Sequence, residues 1–145
     1  MKKVLIALDY DPSSQKIAEI GYAMASAMEA QVVLVHVLLD LAYYSMTYMN
    51  MGPLQLDTIV ELKDASQDFL NKTKSKLGDE AIITIVKEGD FAESILETAK
   101  ETQADFIVMG SHSRKWLENI LMGSVAEEVL RKTKIPLLLI PTRKQ

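Results

Sequence analysis

The 145-residue sequence contains no cysteine, which excludes disulfide bonds, thiolate metal sites and cysteine nucleophiles. It has only two histidines, and their spacing fits no metal site. The net charge of −4 leaves no basic excess, so general nucleic-acid binding is not expected. No apolar run approaches the ~18 residues of a membrane span, and the run before Asp9 is too short for an export signal. We therefore expect a cytoplasmic protein without a nucleic-acid or membrane partner.

What the sequence does contain is typical of a globular protein. Hydrophobic residues make up 48% of the chain and charged residues 25%, which are ordinary values for a folded domain. A chain of this length buries about 70% of the surface that its unfolded form exposes. Because no internal repeat or low-complexity linker interrupts it, we expect a single domain over residues 1–145.

Short apolar segments alternate with amphipathic ones along the whole chain. The apolar segments are the predicted strands: 4–8, 31–39, 81–86, 105–109 and 136–140. The amphipathic segments are the predicted helices: about 12–28, 55–77, 90–101 and 124–132.

The first residues of two helices are predicted from their N-terminal capping residues. Pro12 suits the first helical position, with Asp11 as N-cap, and Asp90 with Glu93 has the spacing of a capping box. On the helical faces we expect apolar residues at the spacing of a buried stripe: Ile17, Ile20, Met24, Ala27 and Met28 in the first helix, and Leu56, Ile59, Val60, Leu70 and Leu77 in the second.

This alternation predicts an α/β fold with a five-stranded, doubly wound parallel sheet between two layers of helices. The strands are apolar throughout, which indicates burial on both faces. In such folds a ligand binds beyond the carboxyl ends of the strands, where the strand order reverses. Asp9, residues 37–40 and residues 110–113 follow predicted strands and are therefore placed at that end.

Two clusters of small residues, Gly110 to Ser113 and Gly123-Ser124, enclose a nine-residue insert. The second cluster opens the last helix, where free N–H groups and the helix dipole favour a phosphate. An equally local interpretation is that Ser124 to Glu127 forms a capping box. Spacing alone leaves both interpretations open.

Asp9 follows the first strand and offers a carboxylate at the predicted ligand end of the sheet. It can accept hydrogen bonds from the two adjacent hydroxyls of a ribose. The alternative is that Asp9 or Asp11 only caps the first helix.

The pattern Gly110-x-x-Ser113-(nine residues)-Gly123-Ser124 resembles the nucleotide-binding signature of the universal stress protein family. The resemblance extends over nearly the whole chain through four further segments: Val4 to Asp9, Val33 to Val37, Ala104 to His112 and Ile135 to Pro141. One position departs from the signature, because Ser113 stands where the family has its second glycine. A left-handed backbone there would cost a non-glycine residue roughly 1–2 kcal/mol.

The resemblance implies an adenine nucleotide alpha hydrolase-like fold with strand order 3-2-1-4-5, and ATP or AMP as the ligand. It implies that Asp9 contacts the ribose or adenine edge, that the backbone of Val37 reads adenine and that Gly110 lies against the ribose. Any Mg²⁺ is expected on the phosphates, with no metal site in the protein. The predicted nucleotide-binding residues are Ala7, Asp9, Val37, Met109, Gly110, Ser113, Arg114, Gly123, Ser124 and Val125.

The resemblance also implies a homodimer through strand 136–140, which would cover an exposed apolar edge. No phosphate-binding Gly-Lys-Ser/Thr loop, Ser-His-Asp signature or Rossmann glycine triplet is present. The resemblance implies a stress-response switch or sensor, and the absence of these motifs predicts that it is not an enzyme. The alternatives are a nucleotide-free dimeric interaction module and a slow ATP hydrolase, with a flavin-binding electron carrier less favoured.

Three further features carry less specific expectations. His36 lies within an apolar strand, which favours a hydrogen-bonded core residue. His112 lies on the glycine segment, where it faces either a phosphate or solvent. Residues 40–54, rich in Tyr and Met, are either a lid or partner-contact loop, or a loop packed on its own domain.

Overall fold

A computed structural model describes residues 1–40, 56–111 and 122–142. Its strands are β1 (Lys3–Ala7), β2 (Gln31–Leu38), β3 (Ile83–Glu88), β4 (Phe106–Gly110) and β5 (Leu137–Ile140). Its helices are α1 (Ser14–Ala27), α2 (Leu56–Leu77), α3 (Phe91–Glu101) and α4 (Ser124–Lys132).

The five strands form one parallel sheet in the order β3-β2-β1-β4-β5, as predicted. β1 lies at the centre, with β2 on one side and β4 on the other. The strand order therefore reverses at β1, and the carboxyl ends of β1 and β4 flank the position where ligands bind in sheets of this type.

The sheet has an apolar core on each of its faces. α1 and α2 cover one face, where Ile6 and Leu34 are fully buried. α3 and α4 cover the other face, where Leu5 and Ile107 are fully buried. Because residues of one strand alternate between the two faces, each central strand contributes to both cores. This explains why the strands are apolar at successive positions.

Helix α1 begins later than predicted. It starts at Ser14 with Ser13 as N-cap, so Pro12 is not its first residue and Asp11 is not its cap. The Asp11 carboxylate instead accepts hydrogen bonds from the backbone N–H and the hydroxyl of Ser13. Residues 12 and 13, which the sequence predicts as helical, therefore belong to the turn before the helix.

The buried stripe of α1 was also predicted incorrectly in part. Ile17 is buried, but Ile20 is 39% exposed and Ala27 is exposed. Gly21 and Ala25 take the inward positions instead, because the helix approaches the sheet too closely there for a larger residue. On α2, Leu70 is fully buried as predicted, whereas Val60 is exposed and the polar Ser66 and Thr73 are buried.

Strand β3 begins two residues later than predicted. The side-chain carboxylate of Asp79 accepts a hydrogen bond from Ala81 N–H, and the backbone carbonyl of Asp79 accepts one from Ile82 N–H. Both residues therefore belong to the turn before the strand. The predicted cap of α3 is confirmed, since the Asp90 side chain accepts from Glu93 N at 3.0 Å.

Two connections fall outside the described residues, 41–55 and 112–121. The expectations for the loop 40–54, apart from Asp40, and for His112 lie there. Among the residues that the structure describes, no helix is both long enough and apolar enough to cross a membrane.

Candidate functional site

A cavity of about 240 Å³ opens at the carboxyl ends of the strands. It is lined by the last residues of β1 and β4, by the first turn of α4 and by the turn that follows β1. Its lining residues come from both faces of the sheet: Ala7, Leu8, Asp9, Asp11, Ile17, Val37, Phe91, Ile95, Met109, Gly110, Ser111, Gly123, Ser124, Val125 and Ala126.

The turn after β1 supplies the acidic side of this cavity. Asp9 Oδ1 accepts from the backbone N–H of Tyr10 at 2.9 Å, which fixes the carboxylate at the end of the strand. Asp11 is held in turn by the backbone and hydroxyl of Ser13. Two carboxylates therefore line one side of the cavity, where they can accept hydrogen bonds from hydroxyl or amino groups.

The first turn of α4 supplies the opposite side. Gly123 is its N-cap, in an extended conformation with φ −71° and ψ 163°. The first intrahelical hydrogen bond runs from Glu127 N to Gly123 O. The N–H groups of Ser124, Val125 and Ala126 precede that bond, and first-turn N–H groups have no partner within their own helix. They favour an anion.

This start of α4 corrects the capping-box interpretation of Ser124 to Glu127. The N-cap is Gly123, so Ser124 is already the first helical residue. A hydrogen bond of 2.6 Å from Gly123 N to Ser111 O fixes Gly123 beside the end of β4. That contact joins residues twelve positions apart, which local spacing could not reveal.

An apolar wall completes the lining of the cavity. Val37 and Met109 come from the ends of β2 and β4, and both are nearly fully buried. Phe91 and Ile95 come from the first turns of α3. A flat apolar group can pack against such a wall, while the polar groups at either side fix its orientation.

The structure brings together eight of the ten residues that the sequence predicts for the site: Ala7, Asp9, Val37, Met109, Gly110, Gly123, Ser124 and Val125. Ser113 and Arg114 lie outside the described residues. The nucleotide-binding role of all ten stays a prediction.

Sequence reasoning missed seven lining residues: Leu8, Asp11, Ile17, Phe91, Ile95, Ser111 and Ala126. The sequence predicts Asp11 as a helix cap, although its position two residues after Asp9 is a usable signal for the site. Phe91 and Ile95 reach the cavity from α3, which follows β3, and no local pattern marks them.

His36 is a hydrogen-bonded core residue, as predicted. It is 4% exposed, and its Nδ1 lies 2.8 Å from the carbonyl oxygen of Leu8. Within residues 1–40, 56–111 and 122–142, no three His, Cys, Asp or Glu side chains come together as a metal-binding group.

Comparison with known proteins assigns the chain to a family. The family model described as the universal stress protein family matches residues 1–141. The chain belongs to the universal stress protein family. Universal stress protein A homolog 2 of Coxiella burnetii is 30% identical over 140 residues, covering 96% of this chain and 94% of that protein. Universal stress protein MJ0531 of Methanocaldococcus jannaschii is 31% identical, covering 99% and 84%.

Solved structures of the universal stress protein family share this fold. Protein MJ0577 of Methanocaldococcus jannaschii has a TM-score of 0.80 and 25% identity, covering 99% of this chain and 98% of its own. The fold is accordingly adenine nucleotide alpha hydrolase-like.

Two of the similar structures hold nucleotides. A universal stress protein in complex with cAMP has a TM-score of 0.65 and 21% identity, covering 98% of each chain. The universal stress protein of Archaeoglobus fulgidus in complex with dAMP has a TM-score of 0.67 and 20% identity, covering 97% and 98%.

Proposed function

We propose that this universal stress protein binds an adenine nucleotide, ATP or AMP, in the cavity at the carboxyl ends of β1 and β4. The observation that carries the proposal is the pairing of two opposite sides across one cavity. The first turn of α4 offers N–H groups to an anion, and Asp9 offers a carboxylate to hydroxyl groups. A nucleotide has both kinds of group, separated by a sugar.

The apolar wall accounts for the base. Phe91, Ile95 and the side chain of Val37 provide the apolar surface on which a purine can pack. The solved relatives with cAMP and dAMP support this assignment, since both ligands are adenine nucleotides. We place Ser113 and Arg114 with the phosphates, and any Mg²⁺ on the phosphates as well.

We infer a switch or sensor that is not an enzyme. Phosphoryl transfer needs cationic groups to neutralise the charge that develops on the transferred phosphate. The polar side chains among the described lining residues are Asp9, Asp11, Ser111 and Ser124, and none of them is basic. The described lining therefore adds no cation to Arg114, which we place with the phosphates, and this supports binding of a nucleotide over its hydrolysis.

We further propose that the chain is a single domain that acts in the cytoplasm as a homodimer. β5 is an edge strand, and it is apolar along its length. Its pairing with the same strand of a second copy would satisfy the backbone groups on its free side.

The decisive experiment is to purify the protein, extract it with acid and identify any bound small molecule by mass spectrometry. We expect an adenine nucleotide. In parallel, AMP and ATP are added to ligand-free protein and the melting temperature is recorded. A ligand present at 100 times its Kd stabilises the folded state by about 2.7 kcal/mol.

The outcomes separate the possible functions. No extracted nucleotide and no shift in melting temperature would leave the nucleotide-free interaction module as the better description. Release of phosphate from ATP above a protein-free control, lost in Asp9→Ala, would instead support the slow hydrolase.

A further inference from the structure

The hydrogen bonds between β1 and β2 stop at the cavity. In this ladder Gln31 N donates to Lys2 O, and Leu8 N donates to Val35 O at 2.9 Å. The backbone groups of Gln31, Val33 and Val35 therefore point towards β1, because alternate residues of a strand hydrogen-bond on the same side. By the same alternation, the N–H and C=O of Val37 also point towards β1.

In a continuing ladder, Val37 N would donate to Leu8 O, and Tyr10 N would donate to Val37 O. Both partners are engaged elsewhere. Leu8 O accepts from His36 Nδ1 at 2.8 Å, and Tyr10 N donates to Asp9 Oδ1 at 2.9 Å. The described pairing of β1 with β2 ends accordingly at Ala7 and Val35.

The His36 ring is held in place to make this contact. It lies edge-on to the Phe69 ring of α2, with a centroid separation of 5.4 Å. The Phe69 ring makes a similar edge-on contact with the ring of Tyr10, in the turn after β1, at a centroid separation of 5.1 Å. A carbonyl oxygen only accepts hydrogen bonds, so the contact with Leu8 O requires a proton on His36 Nδ1.

We propose that His36 is a positioning residue, which holds the carbonyl of Leu8, the residue after β1, away from Val37 and so leaves the Val37 N–H and C=O facing the cavity. There they form an adjacent donor and acceptor, which matches the N1 acceptor and N6 amino donor of adenine. This proposal rests on the proposed nucleotide function. It assigns to His36, on the opposite face of the sheet from the Val37 side chain, a role in recognising the base.

The ligand-free protein provides the first test. Long-range ¹H–¹⁵N NMR correlations of His36 should show a proton on Nδ1, and an Nδ1 without a proton would overturn the proposal. In His36→Phe, which keeps a ring against Phe69 but removes the donor, Leu8 O would be left without its partner. We expect it to accept from Val37 N–H, so that amide exchange at Val37 slows by about tenfold or more.

Binding provides the second test. His36→Phe should weaken AMP binding by about tenfold and leave ribose 5-phosphate binding unchanged, because only base recognition is lost. His36→Asn is the matched variant, since its Nδ2 lies as many bonds from Cβ as His36 Nδ1. It should retain the wild-type preference for AMP over IMP, whose base carries an oxygen in place of the amino group.

The two tests fail in different ways. If wild-type protein binds no AMP, the proposed function fails, and the role of Val37 in base recognition fails with it, whereas amide exchange still decides whether His36 opens the ladder. If wild-type binds AMP but His36→Phe binds it equally well, the inference about His36 is wrong. Equal loss of AMP and ribose 5-phosphate would also overturn it, since that pattern indicates general damage to the site.

Discussion

Gly21 of α1 packs directly on Ile6 of β1, so that a β-carbon on Gly21 would lie 2.8 Å from Ile6 Cδ1 and 3.2 Å from Val108 Cγ1. Ile6 and Val108 are both fully buried and cannot move aside freely. We expect Gly21→Val to lower the free energy of unfolding by about 1–3 kcal/mol, because it overfills this contact.

Urea denaturation measures this change, and Ala23→Val is the matched control. Ala23 lies on the exposed side of the same helix, so the control introduces the same side chain without a clash. Equal destabilisation by the two variants would contradict the close approach of α1 to the sheet.

Gly123→Val should abolish nucleotide binding without unfolding the protein. The extended backbone at Gly123 suits valine, and the hydrogen bond from its N–H to Ser111 O can still form. The new side chain stands at the cavity, where it competes with the phosphate. We expect no shift in melting temperature on adding AMP, and an unchanged far-UV circular dichroism spectrum.

Ala81→Val serves as the control for this variant. Ala81 is exposed and precedes β3, at the opposite end of the sheet from the cavity. The Ala81→Val variant should bind AMP with the same affinity as the wild type. Normal AMP binding by Gly123→Val would exclude the first turn of α4 as the phosphate site.

Asp9→Asn should weaken AMP binding by about tenfold, because a charged acceptor for ribose hydroxyls becomes a neutral one. Asn can still accept from Tyr10 N–H, so the turn after β1 should persist. Isothermal titration calorimetry with AMP and 2′-deoxy-AMP measures the change. A smaller loss for the deoxy ligand would assign Asp9 to the 2′-hydroxyl, whereas no loss for either ligand would remove Asp9 from the site.

Leu139→Pro should dissociate a dimer that forms through β5. Ile107 N donates to Pro136 O, and Ser111 N donates to Ile140 O. The backbone N–H and C=O groups of even-numbered residues in β5 therefore point towards β4. The N–H of Leu139 therefore points to the free edge, and proline removes it while sparing the bonds to β4. Sedimentation velocity should detect the monomer. Leu139→Ala loses the side chain but keeps the N–H, and it should remain dimeric.

Glu101 and Lys87 form an ion pair of 2.7 Å between α3 and β3 that gives stability a pH dependence. The hydrogen bond from Lys87 lowers the pKa of Glu101 below its usual 4.5. The same hydrogen bond raises the pKa of Lys87 above its usual 10.5. The stabilisation from Glu101 is thus present above its unfolded pKa and lost as pH falls through the folded value. That from Lys87 is lost only as pH rises through its raised pKa.

Glu101→Gln should therefore lower the urea midpoint slightly at neutral pH, and the difference from wild type should disappear in acid. The effect is small because the pair is exposed to solvent. Glu80→Gln, also exposed, controls for the loss of one negative charge. A difference that persists unchanged into acid would show that the pair does not contribute.

The sheet could be predicted from the sequence because its cause is local. Runs such as Val4 to Leu8 and Val32 to Val35 are apolar at every position, and only burial on both faces explains them. The starts of the helices were less predictable. Between Asp9 and Ser14 several residues can act as caps, and the choice depends on which turn the Asp11 carboxylate stabilises.

The candidate site could be predicted where its residues lie at the carboxyl ends of strands or at the start of the last helix. Asp9, Val37 and Gly110 are placed by the carboxyl ends of a parallel sheet, which the alternation of elements predicts. Phe91 and Ile95 depend on how closely α3 crosses the sheet, which is a tertiary property. The end of hydrogen bonding at Val37 depends on the contact between His36 and Leu8 O. The periodicity of the sequence does not predict such a contact.

The hydrogen bond from Gly123 N to Ser111 O joins the start of α4 to the end of β4. Both residues line the cavity, so a displacement of α4 from β4 would change the shape of the cavity. The exchange rate of the Gly123 amide proton therefore reports whether this edge of the cavity is intact.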